Sequence, residues 1–267
     1  LMVEMPGIRE PERMRKLLQG SANLEFWETY NNQEVTPYLA QLDQRLANGD
    51  TKVDTTATDS TKKVQAPAAA PSKFALNKNN AAKGEDAQMA ALKKMHPLLS
   101  MLQTIPGDAL SLVGYANVRD TAEINKLIYG QLAKQILPSD LKLLWGAKPE
   151  DGLNKKNVYG LYALKITTSD GRAPLEGDVV TDAKDEFDEH GRPRVSMTMN
   201  SEGAREWAAL TKANQKKAIA IVLDGVVYSA PRVDREISGG QSVISGNFTI
   251  EDTKDLANTL KSGRMPA

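Results

Sequence analysis

Ala218-Ile219-Ala220-Ile221-Val222-Leu223-Asp224-Gly225-Val226-Val227-Tyr228 is the stretch on which the fold turns. From 218 to 223 the run is apolar without a break, so both of its faces must be covered. That pattern marks a central strand and not a strand with one wet side. Asp224-Gly225 supplies the two positive-φ positions that a mirror-image hairpin turn needs, and the chain doubles back into Val226, Val227 and Tyr228. Upstream, Asn200-Ser201-Glu202 begins a helix whose inner face carries Ala204, Trp207, Ala208 and Leu210. Further upstream, Ala183, Asp185 and Phe187 pair with Val195, Met197 and Met199 across the turn at 188–193. Downstream, glycine turns at Gly239-Gly240 and Ser245-Gly246 bracket a short strand. A last helix starts at Thr249, with Asp252 completing a capping box, carries Leu256 and Leu260, and ends at Gly263.

The N-terminal half is more loosely patterned. Val3 and Met5 alternate with polar positions before Pro6-Gly7, and a helix with Met14, Leu17 and Leu18 on one face runs from Glu10-Pro11 to Gly20. Ala22, Leu24 and Phe26 alternate with Asn23, Glu25 and Trp27, as in a strand with one buried side. A helix with Tyr38, Leu39, Leu42 and Leu46 follows. Residues 50 to about 88 then hold too few apolar side chains to offset the entropy of ordering them, and are expected to form a mobile tether. Met89, Leu92, Met95, Leu99 and Leu102 make a helical stripe. Ile124, Leu127, Ile128, Leu132 and Ile136 continue one helical face from Asp120 up to Pro138. Leu141, Leu143, Leu144 and Trp145 form an apolar knot, and Val158 to Ile166 is a strand. Helices and strands mix without βαβ regularity, so the fold class is α+β.

The 267 residues carry 34 basic and 34 acidic side chains, and no global field favours nucleic acid or an anionic membrane surface. With no cysteine, disulfide frameworks and thiolate metal sites are excluded. No apolar run reaches the roughly 18–20 residues of a spanning helix. The opening Leu1-Met2-Val3-Glu4-Met5 reads as mid-strand, so the chain is expected to be a domain whose membrane anchors lie outside it. His96 and His190 stand in unrelated contexts, without a metal-ligand partner at useful spacing. The acidic cluster Asp178, Asp182, Asp185, Glu186, Asp188 and Glu189 lacks the register of a calcium loop. Neither a phosphate-cradling loop nor a serine elbow is present. The expectation is a protein that is not an enzyme and binds neither cofactor nor metal.

Several motifs follow one another in a fixed order. They are Ser201-Glu202-Gly203-Ala204, Ala220 to Gly225, Ser229-Ala230-Pro231, Gly239-Gly240, Ile244 to Thr249, Asp255-Leu256-Ala257 and Lys261 to Ala267. This ordered set resembles the first periplasmic domain of SecD and fused SecDF protein-export membrane proteins. Val3 to Gly7, Pro11-Glu12-Arg13 and Ala22 to Phe26 resemble the start of the same domain. Arg232 departs from the pattern, standing where an apolar residue commonly follows Ser-Ala-Pro.

The resemblance implies a split, ferredoxin-like base subdomain built from both chain ends, 1–30 and 248–267. An α+β head at 158–247 is inserted in it, and 31–157 forms a family-atypical insertion that is partly helical and partly disordered. It also implies a domain on the periplasmic side of the bacterial inner membrane that contacts unfolded preprotein as the head moves on the base. The SecYEG channel, the SecF half and YidC are partners through the full-length protein. Ser169, Asp170, Gly171, Gly239, Gly240, Ser245 and Gly246 are the candidate hinge and open-backbone positions, since glycine absorbs dihedral change cheaply. Two alternatives stand beside this reading: a binding module for envelope glycans or lipids, which needs an aromatic groove, and a spacer that docks translocase subunits.

Overall fold

The computed structural model describes residues 23–49, 91–150, 157–246 and 248–262. In chain order the elements are β1 (Leu24–Thr29), α1 (Asn32–Ala47), β2 (Gln103–Thr104), β3 (Leu112–Asn117), α2 (Thr121–Ile128), α3 (Gln131–Ile136), β4 (Leu141–Pro149) and β5 (Val158–Lys165). Then come β6 (Leu175–Glu176), a 3-10 turn (Gly177–Val179), β7 (Val180–Phe187), β8 (Pro193–Met199), α4 (Ser201–Ala213), β9 (Ile219–Leu223), β10 (Val226–Ser229), β11 (Gln241–Ser245) and α5 (Ile250–Ser262). The class is α+β, as the pattern of residues requires.

Two sheets organise the molecule. The larger runs β2-β3-β5-β4-β10-β9-β1-β6, and β1 also pairs with β5, so β5, β4, β10, β9 and β1 close into a ring. The smaller has the order β11-β8-β7. All five residues of β9 are buried, and its partner across Asp224-Gly225 is β10, with φ of 49° and 79° in the turn. The hairpin of β7 and β8 pairs Ala183 with Met197 and Asp185 with Val195.

Alternation along the ring strands feeds three cores. Trp27, Leu164, Ala220, Val222 and Val227 come from four of the ring strands and meet inside the ring. Leu24, Phe26, Ile219 and Ile221 turn the other way, into a core shared with Val195, Met197, Trp207 and Leu256. On a third side Leu143, Leu161 and Ala163 pack on Val35, Leu39 and Leu42 of α1 and on Ile124 and Ile128 of α2. The helices start at the expected signals. Asn31 and Glu34 form a reciprocal capping box on α1, Asn200 caps α4, and Thr249 and Asp252 exchange hydrogen bonds at α5.

Several expectations need correction. Trp27 is buried, not on a wet face, because the closed ring gives β1 two apolar sides. The helical stripe after Met89 breaks at His96, before Pro97, whose ring stops a helix. Leu92 and Met95 are therefore exposed, and Leu98 enters the core in place of Leu99. The helical face from Ile124 to Ile136 is two helices, parted at Tyr129-Gly130. The knot at 141–145 is the start of strand β4. The C-terminal helix lies on β7 and β8 of the smaller sheet and shares one core with β1. The strand and helix expected over 3–20, and the tether at 50–88, lie outside the described residues.

Candidate functional site

β11 ends the smaller sheet, and among the described residues no strand pairs with its outer side. Along its whole length, Gln241 to Ser245, it borders a cleft of about 1030 Å³. The loop from Pro231 to Ser238 forms the facing wall, and the buried Trp207, Ile219 and Ile221 lie at the floor. Gln241, Val243 and Ser245 are exposed, while Ser242 and Ile244 point into the core. The loop is anchored at its start, where Val233 donates to the Lys217 carbonyl at 2.8 Å and accepts from Lys216 at 2.7 Å. Arg232, the departure from the family pattern, is exposed on this wall.

Polar chemistry in and around the cleft is balanced in sign. Glu186 and Arg194, opposite each other in register, approach to 2.7 Å, and Lys212 reaches Glu236 at 3.8 Å. A hydrogen bond from Lys184 holds Asp182 below the usual carboxylate range. At the hairpin tip the Arg192 backbone N–H, aided by its guanidinium and the His190 N–H, holds Asp188 at about 2. Trp207 packs edge-on against Phe26 with centroids 5.2 Å apart, and its indole N–H is buried with no acceptor among the described residues.

The predicted positions fall in two places. Gly239 and Gly240, with φ of +91° and +69°, and Ser245 bracket β11 beside the cleft. Gly240 is pinned there: its carbonyl accepts from Met199, and a Cβ on it would meet the Ala204 Cβ at 2.8 Å. Gly246 follows β11 and is exposed. Ser169, Asp170 and Gly171 form a separate exposed turn, closed by the Thr168 hydroxyl on the Arg172 carbonyl at 2.6 Å and lining neither wall of the cleft. Sequence reasoning missed Trp207 and the 231–238 loop as cleft components, although Arg232 had flagged that loop. His96 is a structural residue, its Nδ1 2.8 Å from the buried Asp43 carboxylate. Among the described residues no group of His, Asp and Glu is placed to hold a metal ion, and no helix is long and apolar enough to cross a membrane.

Fold and cleft together define an α+β unit with an open strand edge. Its relatives make the class specific. Residues 161–267 match the family model of the SecDF P1 head subdomain. The SecD protein translocase subunit of Rhodothermus marinus is 40% identical over 267 residues, 100% of this chain and 40% of that protein. That alignment runs through 31–157, so this relative shares the stretch. SecD of Syntrophobacter fumaroxidans is 42% identical over 137 residues, covering 46% of this chain and 26% of that protein. A crystal structure of the translocon-associated membrane protein SecDF from Thermus thermophilus superposes with a TM-score of 0.33 at 43% identity, over 36% of this chain and 13% of that one. Over its whole length the chain is similar to a SecD protein translocase subunit, and residues 161–267 are similar to the P1 head subdomain of SecDF. It spans 40% or less of the length of these relatives.

Proposed function

We propose that this chain is the first periplasmic portion of a SecD-type subunit, and that its head holds unfolded preprotein emerging from the Sec channel. Relatives named as protein translocase subunits support the setting. The cleft along β11 carries the reading of contact, because an open strand edge with glycine turns at its ends can accept many sequences. In this reading the domain is not an enzyme, and it reaches SecYEG, the SecF half and YidC through the full-length protein. A photoreactive amino acid at Val243 of the full-length subunit tests it during export of a stalled substrate. Preprotein adducts at Val243 are expected. Adducts at control surface positions with none at Val243 would refute the cleft.

The second part of the proposal is that the head moves on the base during export. Ser169-Asp170-Gly171 and Gly239-Gly240 are the hinge turns. Gly171 and Gly239 have positive φ, and a Cβ on either would meet nothing within 4 Å, so packing leaves these two glycines free to turn, with the pinned Gly240 as the fixed side of the second hinge. Lys148 of β4 and Asp252 of α5 form an ion pair and mark where the two elements approach. Cysteines at those positions, joined by a short thiol crosslinker, lock α5 and the β7–β8 hairpin it packs on to β4 of the larger sheet. Secretion should fall; secretion unaffected by a verified lock would leave the spacer reading in front.

A further inference from the structure

We infer that the chain held in the cleft is taken up as an added β-strand along the outer edge of β11; this rests on the reading of the cleft as the preprotein site. Three observations carry it. Among the described residues β11 is the terminal strand of its sheet, so the backbone N–H and C=O groups of alternate residues on its outer side have no strand partner there, and the cleft borders the same strand. The cleft borders all five residues of β11, and five residues of strand extend about 17 Å. That length suits a short extended segment better than a compact ligand. Third, Trp207 brings to the same cleft a buried indole N–H that has no acceptor among the described residues. A buried donor left without an acceptor is costly, and the carbonyl groups of an incoming backbone are the acceptors that every sequence supplies.

The occupant this chemistry selects is an uncharged, extended polypeptide recognised through its main chain. The facing wall offers no net charge to select for, since Arg232 and Arg235 are matched by Asp234 and Glu236, and Glu186, the remaining charged lining residue, is paired with Arg194. A carboxylate, phosphate or polycation gains nothing there. Main-chain pairing is indifferent to side chains, and side chains alternate between the floor and solvent along the added strand.

The test uses the 267-residue chain and a fluorescent peptide of about eight residues built from Val, Thr and Ala. Two variants carry the same number of backbone N-methyl groups. In one they sit on alternate residues, leaving one clean hydrogen-bonding edge; in the other they are consecutive and spoil both edges. Strand addition predicts that the alternate peptide binds like the parent and that the consecutive one binds about tenfold more weakly, having lost hydrogen bonds of ordinary net worth. A nitroxide on the parent peptide should broaden the amide signals of Gln241 to Ser245. Equal binding by all three peptides, or broadening confined elsewhere, would overturn strand addition while leaving preprotein contact intact. If neither the parent peptide nor a long unfolded protein binds, the functional reading itself falls. A stable dimer in sedimentation that excess peptide does not dissolve would assign the edge to a second copy and overturn the inference as well.

Discussion

Gly203→Ala should destabilise the protein even though it places a better helix former inside α4. Gly203 lies in the first turn of the helix, where its N–H donates to the Asn200 side chain at 2.8 Å. A Cβ built on it would stand 2.5 Å from the Cβ of Val179 and 2.7 Å from its Cγ2. Val179 has no room to retreat: it is buried in the 3-10 turn, its carbonyl accepts from Asn200 at 2.8 Å, and the neighbouring Gly177 is itself tight against Leu24. Alanine gains about 1 kcal/mol of helix propensity over glycine. Forcing a methyl into a packed site costs about 1–3 kcal/mol, and a contact this short to a β-branched side chain belongs at the upper end. The net expectation is a loss of about 1–2 kcal/mol, or roughly 2–8 °C in Tm for a domain of this size. Equilibrium unfolding in urea, followed by circular dichroism, measures it as a lower midpoint at unchanged slope. A midpoint equal to or above that of the parent would show that α4 and the 3-10 turn are not held rigidly together, and the packing account of the Ser-Glu-Gly-Ala motif would fail with it.

Asp43→Ala removes a buried carboxylate that accepts from Leu98 N–H at 2.8 Å, Leu99 N–H at 3.0 Å and His96 Nδ1 at 2.8 Å. Orphaning the two backbone donors should cost about 3 kcal/mol in denaturant unfolding, and a loss below about 1 kcal/mol would contradict the assignment. Asp188→Asn should lower Tm at neutral pH. The native carboxyl titrates at about 2 against an ordinary 3.8, so its contribution is complete above 3.8 and disappears as pH falls to about 2. The gap between parent and variant in a Tm series should therefore close across that window, and a gap that persists at pH 2 would count against the Asp188 turn.

What the residues disclosed depended on how local the decisive contact was. The β7–β8 hairpin, the β9–β10 turn and the helix caps rest on neighbours within a few positions, and composition alone marks them. The alternation of β1 reads as one buried side and leaves Trp27 on the other, and only ring closure with β5 covers that second side. Leu141 to Trp145 lacks a strand period for a similar reason, since its Leu143 and Leu144 feed different cores. The cleft was half legible. Glycine turns announce the ends of β11, whereas the spacing of Trp207 is that of ordinary helix core and the 231–238 loop has no pattern of its own. A cleft assembled from α4, β9, β11 and a loop leaves no signature at any single spacing.

The ring also imposes an order on events during synthesis. β1 is made early, yet its long partner is β9, and the Thr29 hydroxyl bonds the Ala218 carbonyl 189 positions further on. At about 5–20 residues per second of elongation, that partner arrives on the order of 10–40 s later. Until then Leu24, Phe26 and Trp27 sit on a nascent segment with apolar side chains on both sides and unpaired backbone on both edges. High sequence separation makes such closure slow, and waiting strands of this kind are where chains aggregate or recruit chaperones.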